Sequence, residues 1–251
     1  MRIDDQDFFN GLAKATSRIE LWASIVQAAN MKTMLEVGVW KGEYAEEILK
    51  RCPMIKKYYM IDPWATLPDW NKPFNVAPKA FEEVYDEAME RTEFASPKRI
   101  VLRGRTKEVI HQIPEQSLDF VYVDGDHTLR GITIDLIKLL PKVKPGGLIG
   151  GDDFKNTPWQ HGLRFEPTLV CPFAVYFAEA MDMPITALPY DQFIMQKVEE
   201  PGFMFSDPAG THADMSLNRL PFSVFKSAIT SKVKRLFRYT ATATGICESK
   251  S

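Results

Sequence analysis

Apolar positions recur along this chain with two periods, and the two alternate through its middle. Residues 32–37 (KTMLEV) form a short apolar run of strand length that stops at Gly38. Gly42 then opens a helix in which Ala45, Ile48, Leu49 and Cys52 fall at i, i+3, i+4 and i+7. Residues 57–61 (KYYMI) read as a second strand, ended by Asp62-Pro63. A charged helix follows over 78–94, with Ala80, Phe81, Val84 and Ala88 turned inward. Residues 99–102 and 118–123 are the third and fourth strands. A helix over 128–140 gathers Ile132, Leu136, Leu139 and Leu140 and ends at Pro141. The turn Pro145-Gly146-Gly147 leads into a fifth strand at 148–151. Strands separated by helices predict an α/β domain around a mainly parallel, doubly wound sheet.

Beyond residue 152 the rhythm changes. Residues 153–168 read as a long loop, since Pro158, Gly162 and Pro167 interrupt any helix. Pro172 is placed to start a helix reaching 181. Short strands are expected at 185–188 and 192–196, joined by a tight turn. Residues 1–30 form a helical preface of two helices, 31–200 the main domain, and 201–251 a linker with a tail. Between Asp214 and Glu248 the tail has no acid, while Arg219, Lys226, Lys232, Lys234, Arg235 and Arg238 are basic. Phe222, Phe225, Ile229, Val233, Leu236 and Phe237 lie near helical spacing, so 222–238 is expected to be a basic amphipathic helix. Such a helix docks on its own domain, joins a second subunit in a homodimer, or meets an anionic or membrane surface.

Composition narrows the class. Of 251 residues, 45% are hydrophobic and 25% charged, which excludes a disordered or collagenous chain. Thirty-one basic residues against thirty-three acidic ones give a formal charge of -2, so no global field draws in nucleic acid. Cys52, Cys171 and Cys247 are too scattered for a disulfide framework or a zinc spacing. The opening residues show no apolar signal segment, and the longest apolar stretch, 169–178, is about half a membrane span. These features predict a cytoplasmic protein.

Candidate chemistry sits at the strand ends. Glu36, Gly38 and Gly42 occupy the first strand-to-helix turn, where glycines admit a ligand close to the backbone. Their spacing lacks the dinucleotide fingerprint, so a nicotinamide enzyme is disfavoured. Asp62 could accept both hydroxyls of a ribose or merely shape an Asp-Pro turn. Gly104 and Thr106 follow the third strand as a wall for an adenine. The densest signal is Asp124-Gly125-Asp126-His127 with Asp152-Asp153 downstream. Carboxylates converging from two strand ends repel unless protons or a cation intervene, and hard oxygen ligands suit Mg²⁺, Mn²⁺ or Ca²⁺; otherwise these acids cap helices and face solvent. His127 reads either as a general base or as a structural histidine. The aromatic-rich loop 63–74 is a lid, a subunit contact or a surface loop, and Trp159, His161 and Arg164 are expected near a substrate.

With these residues the chain resembles the class I S-adenosylmethionine-dependent methyltransferases over roughly 30–197. The resemblance rests on Glu36/Gly38/Gly42, Asp62, Asp124-Gly125-Asp126-His127 and Pro145-Gly146-Gly147. Asp152-Asp153 is similar to the pair in metal-dependent O-methyltransferases of small molecules, although catechol-type enzymes usually carry Asp-Asn there and a lysine near His127. The resemblance implies a Rossmann-like seven-stranded sheet with its last strand antiparallel. It places Glu36, Gly38, Gly42, Asp62, Gly104, Thr106 and Asp126 around S-adenosylmethionine. It makes Asp124, Asp152 and Asp153 ligands of a divalent metal, expected to be Mg²⁺, so that Asp124, Asp152 and His127 carry catalysis on a small-molecule hydroxyl. A chelator is then expected to stop turnover. The rival readings are a metal-dependent glycosyltransferase using Asp124 and Asp126, and a cofactor-binding scaffold without catalysis. No G-x-S-x-G elbow supports a serine hydrolase.

Overall fold

A computed structural model describes residues 15–162, 164–200 and 202–212. The first expected N-terminal helix and the basic tail at 222–238 lie outside the described residues. Helix α1 (Arg18–Ala28) precedes strand β1 (Thr33–Val37), and helix α2 (Glu43–Arg51) leads to β2 (Lys57–Asp62). Helix α3 (Pro78–Arg91) stops three residues short of the reading, where a 3₁₀ turn at Glu93–Ala95 takes over before β3 (Arg99–Arg103). A one-turn helix α4 (Thr106–Val109), not foreseen, comes before β4 (Leu118–Val123). Helix α5 (Leu129–Leu139) is capped by Thr128, whose hydroxyl accepts from the Gly131 N–H at 3.1 Å. Strand β5 (Val143–Gly151), helix α6 (Val170–Ala180), and strands β6 (Pro184–Leu188), β7 (Gln192–Gln196) and β8 (Met204–Ser206) complete the described chain.

The strands form one sheet in the order β3-β2-β1-β4-β5-β7-β6-β8. Every neighbouring pair is parallel except those of β7 with β5 and β6. Successive strands run outward from β1 in one direction and then from β4 in the other. The crevice between the tips of β1 and β4 is therefore the topological switch point, where open α/β sheets bind ligands. Three details differ from the sequence reading. Strand β8 is an eighth strand, formed inside the stretch expected to be a linker. Strand β5 starts at Val143 and carries the Pro-Gly-Gly segment within it: Leu118 faces Val143 and Phe120 faces Leu148, so one residue of β4 opposes four of β5. Pro172 is the third helical residue rather than the first, tolerated because early helical N–H groups lack intrahelical partners.

Strand pleating divides the core. Met34, Met60, Phe120, Tyr122 and Leu148 share a cluster with apolar residues of α1, α2 and α3. Helix α1 is thus part of the core rather than a cap on it. The Trp22 ring stacks on Phe120 at 5.1 Å and meets the edge of Tyr122 at 5.3 Å. Gly150 makes room for it, since a Cβ there would sit 2.1 Å from the indole. The Trp22 N–H donates to Gln192 Oε1 at 2.8 Å, and the Tyr122 hydroxyl donates to the same oxygen at 2.9 Å. This interior polar junction ties α1 to β4 and β7 just behind the acidic strand tips. Among the described residues no helix is long and apolar enough to cross a membrane.

Candidate active site at the switch point

The strand tips open onto a cavity of about 430 Å³, within the usual size of a small-molecule site. Gly38, Asp62, Gly104, Thr106, Asp124, Asp126, His127, Asp152, Asp153 and His161 all line it. Glu36, Gly42 and Trp159 do not, contrary to their expected roles. Pleating explains Glu36: two residues before Gly38, it points into the helical layer. There it is 1% exposed and accepts from the Tyr58 hydroxyl at 2.6 Å, and burial pushes its carboxyl well above the usual range. Gly42 caps α2 at φ 77° and presses on α3, where a Cβ would lie 3.0 Å from the Ala88 Cα. The Trp159 indole N–H is buried without a hydrogen-bond partner in the structure, and the Arg164 guanidinium stacks on Phe165 instead of entering the cavity.

Backbone close approach builds the floor. At Gly38, φ is +87° and a Cβ would fall 2.1 Å from the Asp124 carbonyl oxygen, so β1 and β4 meet here only through a glycine. Asp62 fixes the adjoining corner. Its carboxylate accepts from the N–H groups of Trp40 at 2.9 Å and Trp64 at 2.7 Å, both in left-handed conformations. Burial raises the Asp62 pKa, and these backbone donors oppose it. Each carboxylate oxygen keeps a second acceptor position. Asp126 shapes the far wall: its Oδ1 accepts from the Thr128 N–H at 3.1 Å and from the Trp70 indole at 3.0 Å. Glycine at 131 leaves space for this side chain, because a Cβ there would lie 2.2 Å from its carboxyl carbon.

Loop 63–76 covers one side of the cavity. Trp64 is fully buried and donates to the Trp40 carbonyl at 2.8 Å. Asp69 pairs with Arg105 of the β3 tip and with Arg130 of α5. Asn71 donates to the Arg164 carbonyl at 2.9 Å, and the Lys72 ammonium donates to the Glu166 carbonyl at 2.8 Å. The loop is therefore anchored at both edges, and Leu67, Trp70, Lys72 and Phe74 line the cavity. Lys72, Trp70 and Asp135, which also lines the cavity, were not among the sequence candidates. Asp135 was detectable, being an acid in phase with Ile132, Leu136 and Leu139.

The acid cluster closes the other end, and its partners are protein groups. Arg18 Nη1 bonds Asp152 Oδ2 and lies 3.2 Å from Asp124 Oδ2. Asp152 Oδ1 accepts from Gln192 Nε2 at 2.6 Å and from the Asp153 N–H at 2.7 Å. Asp153 takes a left-handed backbone, φ 59°, which accompanies the pairing of its Oδ2 with His127 Nδ1. Its Oδ1 accepts from Gln160 Nε2 at 2.6 Å. His127 Nε2 faces Asp124 Oδ1 at 3.4 Å, a charge contact rather than a well-formed hydrogen bond. Burial alone would lower the His127 pKa; Asp124 and Asp153 outweigh it and carry it to about 10. Asp153 is correspondingly held down at about 2 by His127, against its burial. Held up in this way, His127 favours its protonated form, which does not favour the expected role as base.

This arrangement does not fit the expected metal. Every oxygen of Asp124, Asp152 and Asp153 already faces a cationic or N–H group. Among the described residues no group of three or more His, Cys, Asp or Glu side chains is arranged to hold a metal ion.

The family model for a methyltransferase domain matches residues 35–154, which run from β1 to the acidic pair. This stretch, just under half of the chain, is similar to a methyltransferase domain. No curated protein matches its sequence significantly. Solved structures share the fold of the domain. The O-methyltransferase TomG from Streptomyces achromogenes, involved in tomaymycin synthesis and solved with S-adenosylmethionine, is 15% identical, with a TM-score of 0.52 over 78% of this chain and 91% of that one. An O-methyltransferase from Bacillus cereus in complex with S-adenosylhomocysteine is 17% identical, with a TM-score of 0.53 over 78% and 93%. The S-adenosylhomocysteine-bound methyltransferase PaMTH1 from Podospora anserina is 14% identical, with a TM-score of 0.51 over 78% and 89%. The sheet, with its lone antiparallel β7, carries the cavity at the position where the switch-point rule puts it.

Proposed function

We propose that the chain transfers the methyl group of S-adenosylmethionine to the hydroxyl of a small molecule, either a phenol, a sugar or another natural product. One observation carries this reading: Gly38, Asp62, Gly104 and Asp126 converge on a single cavity that Asp124, Asp152 and His161 also line. The solved neighbours that bind S-adenosylmethionine or S-adenosylhomocysteine support the choice of cofactor. Bound here, S-adenosylmethionine supplies a methyl group on a sulfonium, open to in-line displacement by an oxygen. The close approach of Gly38 to the Asp124 backbone shapes the floor on which the ligand lies, and Asp62 has acceptor positions for the two ribose hydroxyls. Trp70, Phe74 and Phe81 line the cavity with apolar surface and keep water from the reacting atoms.

The acceptor hydroxyl must lose a proton as its oxygen bonds carbon. His161 fits that task better than His127. It lines the cavity between the edges of Phe74 and Phe165, and burial, with the nearby Lys72 charge, holds its pKa below the usual value. Its imidazole is therefore neutral at pH 7 and can take the proton on a ring nitrogen. His161→Gln is expected to lower kcat at least about a hundredfold, the ordinary scale of a lost general base. Affinity for S-adenosylhomocysteine should stay unchanged, and the acidic limb of the pH profile, expected below about 6.5, should disappear.

Transfer of a labelled methyl group to a panel of hydroxylated acceptors tests the whole reading. Cofactor binding with no labelled product from any acceptor favours the scaffold. Calorimetric heat from a sugar nucleotide, and none from S-adenosylhomocysteine, favours the glycosyltransferase.

A further inference from the structure

We propose that Arg18 is the resident cation of the acid cluster, so that this site holds its three aspartates without a divalent metal. The inference rests on the methyl-transfer reading for its function but not for its geometry. Three carboxylates from two adjacent strand tips carry three negative charges into a partly buried space. Such a group is stable in its ionised form only with positive charge among its oxygens. Here the Arg18 guanidinium supplies it. The Arg18 guanidinium bridges Asp124 and Asp152, and the His127 ring stands between Asp124 and Asp153.

Neutral donors complete the arrangement. Gln192 and the Asp153 N–H take Asp152 Oδ1, and Gln160 takes Asp153 Oδ1. A hard cation needs oxygens free to point at a common centre. To admit one, the cluster would have to give up Arg18 and turn Asp153 away from both His127 and Gln160.

Arg18 is also held in place from behind. It is the first residue of α1, and one turn later Trp22 is locked into the core through Gln192. The same Gln192 amide bonds Asp152. The chain Trp22–Gln192–Asp152–Arg18 therefore closes on itself, fixing where the guanidinium sits relative to the carboxylates. Arg18 is a positioning residue: it sets the orientation and charge of Asp124 and Asp152 at the end of the cavity.

Binding of Mn²⁺, followed by electron paramagnetic resonance and calorimetry on the full chain, tests this without any acceptor. The wild-type protein is expected to leave Mn²⁺ free at millimolar concentration and to give the same S-adenosylhomocysteine titration with or without chelator. Arg18→Met is expected to tighten Mn²⁺ binding by about a hundredfold or more, as removal of a charge roughly 4 Å away at a partly buried site implies. Arg18→Lys, which keeps the charge, should stay closed to the ion. Saturable micromolar binding of Mn²⁺ by the wild type, lost in Asp152→Asn, would overturn the inference. So would a folded Arg18→Met that binds S-adenosylhomocysteine but no Mn²⁺. Should Arg18→Met not fold, the wild-type titration alone decides. Failure of the methyl-transfer reading looks different: the wild type then binds no S-adenosylhomocysteine, or binds it and labels no acceptor, whatever Mn²⁺ does.

Discussion

Gly38→Ala is expected to abolish S-adenosylhomocysteine binding and to destabilise the chain by about 3 kcal/mol. The new methyl group would lie 2.1 Å from the Asp124 carbonyl oxygen, 2.4 Å from its carbon and 2.6 Å from the Gly125 Cα. All three are backbone atoms, so no side chain can swing aside. The residue also sits at φ +87°, where an L side chain costs roughly 1–2 kcal/mol before any clash. Relief would require β1 and β4 to separate at their tips, where the Asp124 N–H donates to the Val37 carbonyl at 2.8 Å and the Gly38 N–H to Ile61 at 2.9 Å. That movement deforms the cavity floor and shifts Asp124 within its cluster. Thermal melting and calorimetry together check it. A variant with wild-type melting temperature and affinity would show that the floor is not built by close approach.

Asp135→Asn is expected to stabilise the protein at alkaline pH and to leave it unchanged in acid. Asp135 lies on the buried face of α5, and burial, with Asp126 nearby, raises its pKa from 3.8 to about 7. A carboxyl whose folded pKa exceeds its unfolded one favours the folded state while protonated. That contribution is complete below about pH 4 and is lost as pH rises to 7. A shift of about three pH units corresponds to about 4 kcal/mol. Asparagine stays neutral throughout, so the variant should match the wild type at pH 4 and exceed it above pH 7. Melting temperatures across that range are the check. An equal difference at both ends would mean that the effect is packing, not charge.

Much of the site was legible because it lies where strands end. The apolar runs that stop at Gly38, Asp62, Gly104, Asp124 and Asp152 are β1 to β5, and parallel strands bring all their carboxyl ends to one rim. Glu36 failed on parity: a side chain two places before the tip points into the core. The environment of His127 was not legible, since it is set by Asp153, a partner 26 positions on whose left-handed backbone no local pattern announces. Arg18 carries no spacing signal at all. It reaches the cluster because α1 packs Trp22 against the space at Gly150, a long-range contact. Gln192 could have been suspected, as a polar residue in phase with Ile194, which lies two places on and shares the core beside Trp22. Strand β8 escaped because three residues beside Pro201 and Pro208 carry too little period to read.

The most direct test of the central claim is a calorimetric titration of the folded wild-type chain with S-adenosylhomocysteine in the presence of chelator, repeated on Asp62→Ala. One saturable site per chain, weakened at least about tenfold by the substitution as expected for a lost charged hydrogen-bond acceptor, is the predicted result. No saturable heat from the wild type, or unchanged affinity in a folded Asp62→Ala, would contradict a cofactor site at the tips of β1, β2 and β4.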